Sequence, residues 1–362
     1  MKKITILAFL ILVVAVAGIV MIKDTHREPD MAGVTRVGVL ISGSSHDRNY
    51  CQAHYDALES LKGDLPIELI YREKVGGDCY NDIAQLIENE NCRIIIGISF
   101  DHGRDMEKAA EAYPDIYFIH TTGTEHRSNL STGFGRMYQV RYLSGIVAGM
   151  RTETGKIGYV AAFPIPEVIR GINAFALGVR SVRPDAQVYV RYCHSWTEDK
   201  PAGEAFDRLI AKYPIDVMAL HTNSLEPNRY ADMRGIWSIG CNLDNAHVFS
   251  KTYLTACVWK WDAYYRRELL QCLQGKFHGK HVWMKMEDGI VSLSDLTENV
   301  RPGTEAKVKA AEERLRSREY DVFYGPIKDN AGHIRVEAGE SMPDDEMLNG
   351  FDWYVEGVTV EL

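Results

Sequence analysis

The chain has 362 residues, enough for two ordinary domains. Its 46% hydrophobic and 25% charged content is that of a folded globular protein and excludes long disorder. A formal net charge of -9 with no long Lys/Arg run excludes a nucleic acid polymer as partner, because phosphates need a basic face; a neutral base or nucleoside stays open.

The first element is an export segment. Met1, Lys2 and Lys3 precede an apolar run from Ile4 to Ile22, broken only by Thr5 and Gly18 and ended by Lys23 and Asp24. Residues 4–22 are long enough to span a bilayer. Ala15-Val16-Ala17 offers a small-residue cleavage site, but Ile19 to Ile22 stay apolar beyond it, which favours a retained anchor. Positive charge before the run keeps the N-terminus inside and the body outside. No Cys lies near the end of the run, so lipid modification is not expected. Residues 1–23 are thus signal or anchor and 24–34 a polar tether.

From Thr35 strands alternate with helices. Strands are expected at 36–42, 67–75, 93–99 and 116–120, with helices at 50–61, 81–88 and 106–112 between them. The run Arg93-Ile-Ile-Ile-Gly-Ile-Ser99 is continuously apolar, as in a parallel sheet covered on both faces. The rhythm repeats with strands at 156–163, 187–192, 216–220 and 236–240 and helices at 167–182 and 202–212. A strand at 253–258 and a helix at 263–273 follow. Strands 281–286 and 290–293 flank Asp288-Gly289 as an expected hairpin. A last helix covers 305–318. The pattern predicts an α/β protein of two doubly wound lobes with parallel sheets. Lobe 1 is expected at 35–154, completed by about 254–280. Lobe 2 is expected at 155–253, completed by about 281–362.

Ligands of open parallel sheets bind beyond the carboxyl ends of the strands. Those positions hold Asp47, Tyr50, His54, Glu73, Phe100 and His120 in the first half. In the second half they hold Phe163, Trp196, His221-Thr222-Asn223, Asn242, Asp244, Trp259 and Trp261. Aromatic faces with carboxylates, amides and hydroxyls suit a flat, uncharged, hydrogen-bonding guest. An amino acid would want an arginine for its carboxylate, and Arg170 keeps that option open. Taken singly, Phe100, Phe163, Trp259 and Trp261 are more readily packing residues and Trp196 is as readily buried as exposed; the clustering at strand ends raises the binding reading. Seven cysteines of irregular spacing form no disulfide framework, although one bridge among Cys51, Cys79 and Cys92 stays open. There is no GxSxG, GxxxxGK[ST], HExxH or CxxC motif, so neither an enzyme nor a cofactor or metal site is expected.

The segment Phe163-Pro-Ile-Pro-Glu-Val-Ile-Arg-Gly-Ile-Asn-Ala-Phe-Ala-Leu-Gly178 resembles the basic membrane protein (BMP) family of ABC-transporter substrate-binding proteins, in a branch similar to purine or adenine binders. Gly97-Ile-Ser-Phe100, Tyr142-Leu-Ser-Gly-Ile-Val-Ala-Gly149, Leu220-His-Thr-Asn223, Val258-Trp-Lys-Trp261 and Gly325-Pro-Ile-Lys328 extend the likeness in order along the chain. The resemblance implies a type I periplasmic-binding-protein fold, a purine base or nucleoside as ligand, delivery to an ABC permease and its ATPase, and an extracytoplasmic place. It carries pocket positions onto Asp47, Tyr50, His54, Phe100, Trp196, Asn223 and Asp244, with Phe100 and Trp196 stacking the ring, Tyr50 as a third wall, and Asp244 and Asn223 reading the polar edge. Asn223 and Asn242 depart from the expected acids, Tyr50 from a Trp and Asn49 from a Gly. Rival readings are a sensor of the same fold that hands on no cargo, an enzyme acting on nucleosides, and a transcriptional regulator. The absence of a helix-turn-helix speaks against the last.

Overall fold

A computed structural model describes residues 33–317 and 320–361. The expected signal or anchor lies outside the described residues. Among those described, no helix is long and apolar enough to cross a membrane.

The first lobe runs β1 (Thr35–Leu40), α1 (Tyr50–Glu59), β2 (Ile67–Arg72), α2 (Tyr80–Glu88), β3 (Ile94–Gly97), α3 (Gly103–Ala112), β4 (Tyr117–Thr121) and β5 (Leu130–Gly135). The chain then crosses at Arg136 into α4 (Met137–Arg151). The second lobe follows as β6 (Lys156–Ala161), α5 (Pro166–Val182), β7 (Gln187–Tyr192), α6 (Asp199–Lys212), β8 (Val217–His221), α7 (Glu226–Arg234), β9 (Trp237–Asn242) and β10 (Tyr253–Trp259). It returns through α8 (Trp261–Leu273) and β11 (His281–Met284), and crosses a third time to β12 (Val291–Leu293) and α9 (Thr304–Arg316). A C-terminal extension adds β13 (Ile327–Lys328), β14 (Ile334–Val336), α10 (Asp344–Asn349) and β15 (Val358–Glu361).

One sheet has the order β11-β5-β4-β3-β1-β2, the other β12-β10-β9-β8-β6-β7-β15. All pairings within them are parallel except that of β12 with β10. The central strands β3, β8 and β10 are buried along their whole length, as helices on both faces require. The two doubly wound lobes foreseen from the alternation are present.

Three boundaries differ from the expectation. Helix α4 packs on α5 and on β9, β10 and β12, so it belongs to the second lobe although it precedes residue 155. Its Gly145 meets Gly178 of α5 so closely that a Cβ on either would strike the other helix's backbone. Strand β10 sits in the second sheet, so the return crossing falls at Lys260. Strands β11 and β12 form no hairpin. Each joins a different sheet, because β5 and β10 offer open edges on opposite sides of the hinge.

The three crossings lie side by side. Arg136 N–H donates to the Met284 carbonyl (2.7 Å) and Lys260 N–H to the Ile290 carbonyl (2.8 Å). The C-terminal extension braces them: Arg136 donates to the Asp344 carboxylate (2.8 Å) and stacks over Trp283. All seven cysteines are buried free thiols, so no bridge joins Cys51, Cys79 or Cys92.

Candidate functional site

In a doubly wound sheet the loops diverge where consecutive connections leave on opposite faces, and a crevice opens there. In the first sheet this point lies between β1 and β3, in the second between β6 and β8. The two crevices face each other across the hinge. Among the described residues six non-glycine residues have positive φ; four lie at strand ends or within two residues of them, Lys74, Thr122, His194 and Asn242, and a fifth, Arg48, lies in the loop from β1 to α1. Left-handed backbone at such positions costs energy and concentrates where loops are shaped for a purpose.

On the first lobe, Tyr50 opens α1 beside β1, and its hydroxyl donates to the carbonyl of Ile98, just past β3 (3.0 Å). The ring thus spans the switch point. Burial pushes its phenol far above the usual range, so it stays neutral. Asp47 turns back on its own helix: its carboxylate accepts the backbone N–H groups of Asn49 (2.8 Å), Gln52 (3.0 Å) and Cys51 (3.1 Å). It anchors the start of α1, where unsatisfied N–H groups and the helix dipole welcome an anion.

On the second lobe, Trp196 follows β7. Its carbonyl accepts Asn223 N–H (2.7 Å) and the Thr222 hydroxyl (2.8 Å), which lash the loop to the end of β8. Its half-buried ring packs against Phe163 (centroids 5.9 Å apart) and His221 (6.2 Å). His221, the last residue of β8, lies 3.2 Å from the carboxylate of Glu167 in the first turn of α5. Burial opposes ionisation of Glu167, but His221, Arg170 and Arg141 hold its pKa down to about 2. Burial and Arg141 push the His221 pKa below the ordinary imidazole value, so it is neutral near pH 7.

Between the lobes stands an amide network. Asn49 Nδ2 donates to the Asn223 carbonyl (2.7 Å) and Asn49 Oδ1 accepts from Asn242 Nδ2 (2.7 Å). Asn242 Nδ2 also reaches Asn223 Oδ1 (2.8 Å), and Trp259 Nε1–H donates to Asn242 Oδ1 (3.1 Å). Asn245 Nδ2 adds a bond to the Arg48 carbonyl (3.0 Å). Asn49, Asn242 and Asn245 are buried. The lobes are therefore closed on each other through neutral hydrogen bonds. Asn223 is part of this contact. Asp244 lies beside it, half-buried, with one oxygen accepting Ala246 N–H (3.0 Å).

Two expected positions fall elsewhere. His54 is in the core of the first lobe: its ring stacks on Trp261 (4.2 Å) and its Nδ1 meets the Tyr265 hydroxyl (2.6 Å). One helical turn after Tyr50, it faces α8 rather than the crevice, and burial holds its pKa well below normal. Phe100 is 69% exposed, has no ring partner among the described residues, and lines a cavity of about 480 Å³ with Arg104, Glu107 and His120, all from its own lobe. The expected ring pair of Phe100 with Trp196 is not formed. Arg170 is buried, donating to the Met347 carbonyl and lying over Trp283, so it holds no ligand carboxylate. Phe163, Asn49, Glu167 and His221 are not among the expected pocket positions, although Phe163 and His221 stand at strand ends.

The family model for the ABC transporter substrate-binding protein PnrA-like family (Bmp) matches residues 34–322. A purine-binding protein of Brucella abortus is 31% identical over 97% of this chain and 99% of its own. A Haloferax volcanii protein named for ABC-transporter glucose binding is 33% identical over 91% of this chain and 79% of its own. Among solved structures, a solute-binding protein of Conexibacter woesei superposes with a TM-score of 0.67 at 20% identity, over 79% of this chain and 98% of that one, which supports the two-lobed periplasmic-binding-protein fold. The chain belongs to the Bmp family of PnrA-like ABC transporter substrate-binding proteins.

Proposed function

We propose that the protein captures a purine base or nucleoside between its lobes outside the cytoplasm and delivers it to an ABC permease. Substrate-binding proteins of this family take up small ligands rather than transform them, and work with permease and ATPase subunits. The observation that carries the purine reading is the pair of facing switch points: Tyr50 from one side, Phe163 and Trp196 from the other, with amide and carboxylate groups around them. Aromatic walls hold a flat ring by stacking, and neutral polar groups read its edge. The Brucella relative's name agrees; the Haloferax relative's name makes a sugar the competing ligand.

Closure is a population shift in which a guest bridging both lobes favours the closed form. The test is a thermal-shift panel of purine bases, nucleosides, sugars and amino acids. A ligand at 100 times its dissociation constant stabilises the fold by about 2.7 kcal/mol. Purines alone shifting the transition supports the proposal; a shift with glucose and none with purines overturns it.

A further inference from the structure

We propose that Glu167, oriented by His221, is the group that reads the ligand, accepting a hydrogen bond from a ring or exocyclic N–H of a neutral purine. This rests on the purine reading and extends it to a recognition residue and a ligand charge class.

Placement comes first. β6 and β8 are neighbours with Ala161 opposite His221, and the chain leaves β6 into α5, so Glu167 and His221 flank the second lobe's switch point. The carboxylate sits in the first turn of a 17-residue helix, where the dipole favours an anion. His221 Nε2 holds one oxygen. Among the described residues no donor reaches the other, and 26% of the side chain remains open. On the other side of the crevice Tyr50 marks the first lobe's switch point. Trp196 and Phe163 wall the crevice in.

Charge selects the class. The nearby guanidiniums are committed: Arg141 donates to the Leu220 carbonyl (2.7 Å) and Cys241 Sγ (2.9 Å), and Arg170 to Met347. No arginine of this cluster is left for a phosphate or carboxylate, while an ionised Glu167 repels one. A carboxylate only accepts hydrogen bonds, so its partner must present N–H or O–H. A purely structural Glu167–His221 tie between α5 and β8 would lower affinity for every ligand alike. A reading group discriminates between ligands that differ by one N–H.

The experiment is titration calorimetry of the full chain and Glu167→Gln with adenine, 9-methyladenine, N6,N6-dimethyladenine and adenosine monophosphate, with melting curves of both proteins. Expected for the wild type are adenine binding, at least a tenfold loss with one methylated analogue, and no heat with the monophosphate. E167Q is expected to bind adenine at least tenfold more weakly and to lose most of the methylation penalty, while a single melting transition above the titration temperature shows that it stays folded. Wild type binding all three bases within twofold overturns the inference without recourse to any variant, as does an E167Q that keeps the penalty. In both cases the purine reading stands. Wild type silent toward every purine sinks both.

Discussion

Asn49→Ala tests whether the amide network sets the closing equilibrium. Asn49 makes both of its side-chain bonds across the cleft, to the Asn223 carbonyl and to Asn242 Nδ2, each 2.7 Å long. It makes no capping bond to its own helix, whose start Asp47 anchors instead, and its extended φ of -146° suits alanine. The substitution therefore spares the first lobe and removes two neutral bonds that the open form replaces with water. At about 0.5–1.5 kcal/mol each, the closed state loses roughly 1–3 kcal/mol. That corresponds to about 5- to 150-fold in the open–closed equilibrium and, where closure completes the site, the same factor in affinity. Calorimetry with the purine that most stabilises the wild type reads the affinity, and small-angle scattering with and without ligand reads the closure. Wild-type affinity within twofold, together with an unchanged scattering difference, would refute the reasoning.

Three further outcomes follow from the geometry. Trp196→Ala is expected to remove about 1–3 kcal/mol of purine binding, the worth of a stacked base, while the melting temperature without ligand moves little; calorimetry decides it. Asp47→Ala strips three backbone donors at the start of α1 of their acceptor and should cost roughly 1–2 kcal/mol of stability, read as a lower denaturant midpoint with unchanged slope. Glu167 has a folded pKa of about 2 against an ordinary 4.5, so its contribution to stability is present above pH 4.5 and lost as pH falls toward 2. Burial and Arg141 also lower the His221 pKa, which costs stability in the same direction as pH falls below 6.5. Urea melts at pH 6 and pH 3 should show E167Q losing less stability than wild type, by about 2 kcal/mol; equal losses would show that the pair is not coupled as described.

Local chemistry made most elements legible. Continuous apolar runs such as Ile94–Gly97 are readable because burial on both faces demands them, and they mark a parallel sheet before any pairing is known. The alternation of strands and helices then pointed to strand ends, where Asn223 accepts a bond from Asn49 of the other lobe and donates to the Trp196 carbonyl. What the sequence left undecided is everything set by which strand finds which neighbour. Asp288-Gly289 has the chemistry of a hairpin turn, with Gly289 at φ 82°, yet β11 and β12 part into different sheets because the edges available to them are β5 and β10. Helix α1 carries Tyr50 and His54 one turn apart, and only the docking of α8 buries the histidine and leaves the tyrosine at the crevice. Glu167 and His221 are distant in sequence and carry no motif. They meet because β6 and β8 are adjacent, a non-local pairing that no local pattern of residues encodes.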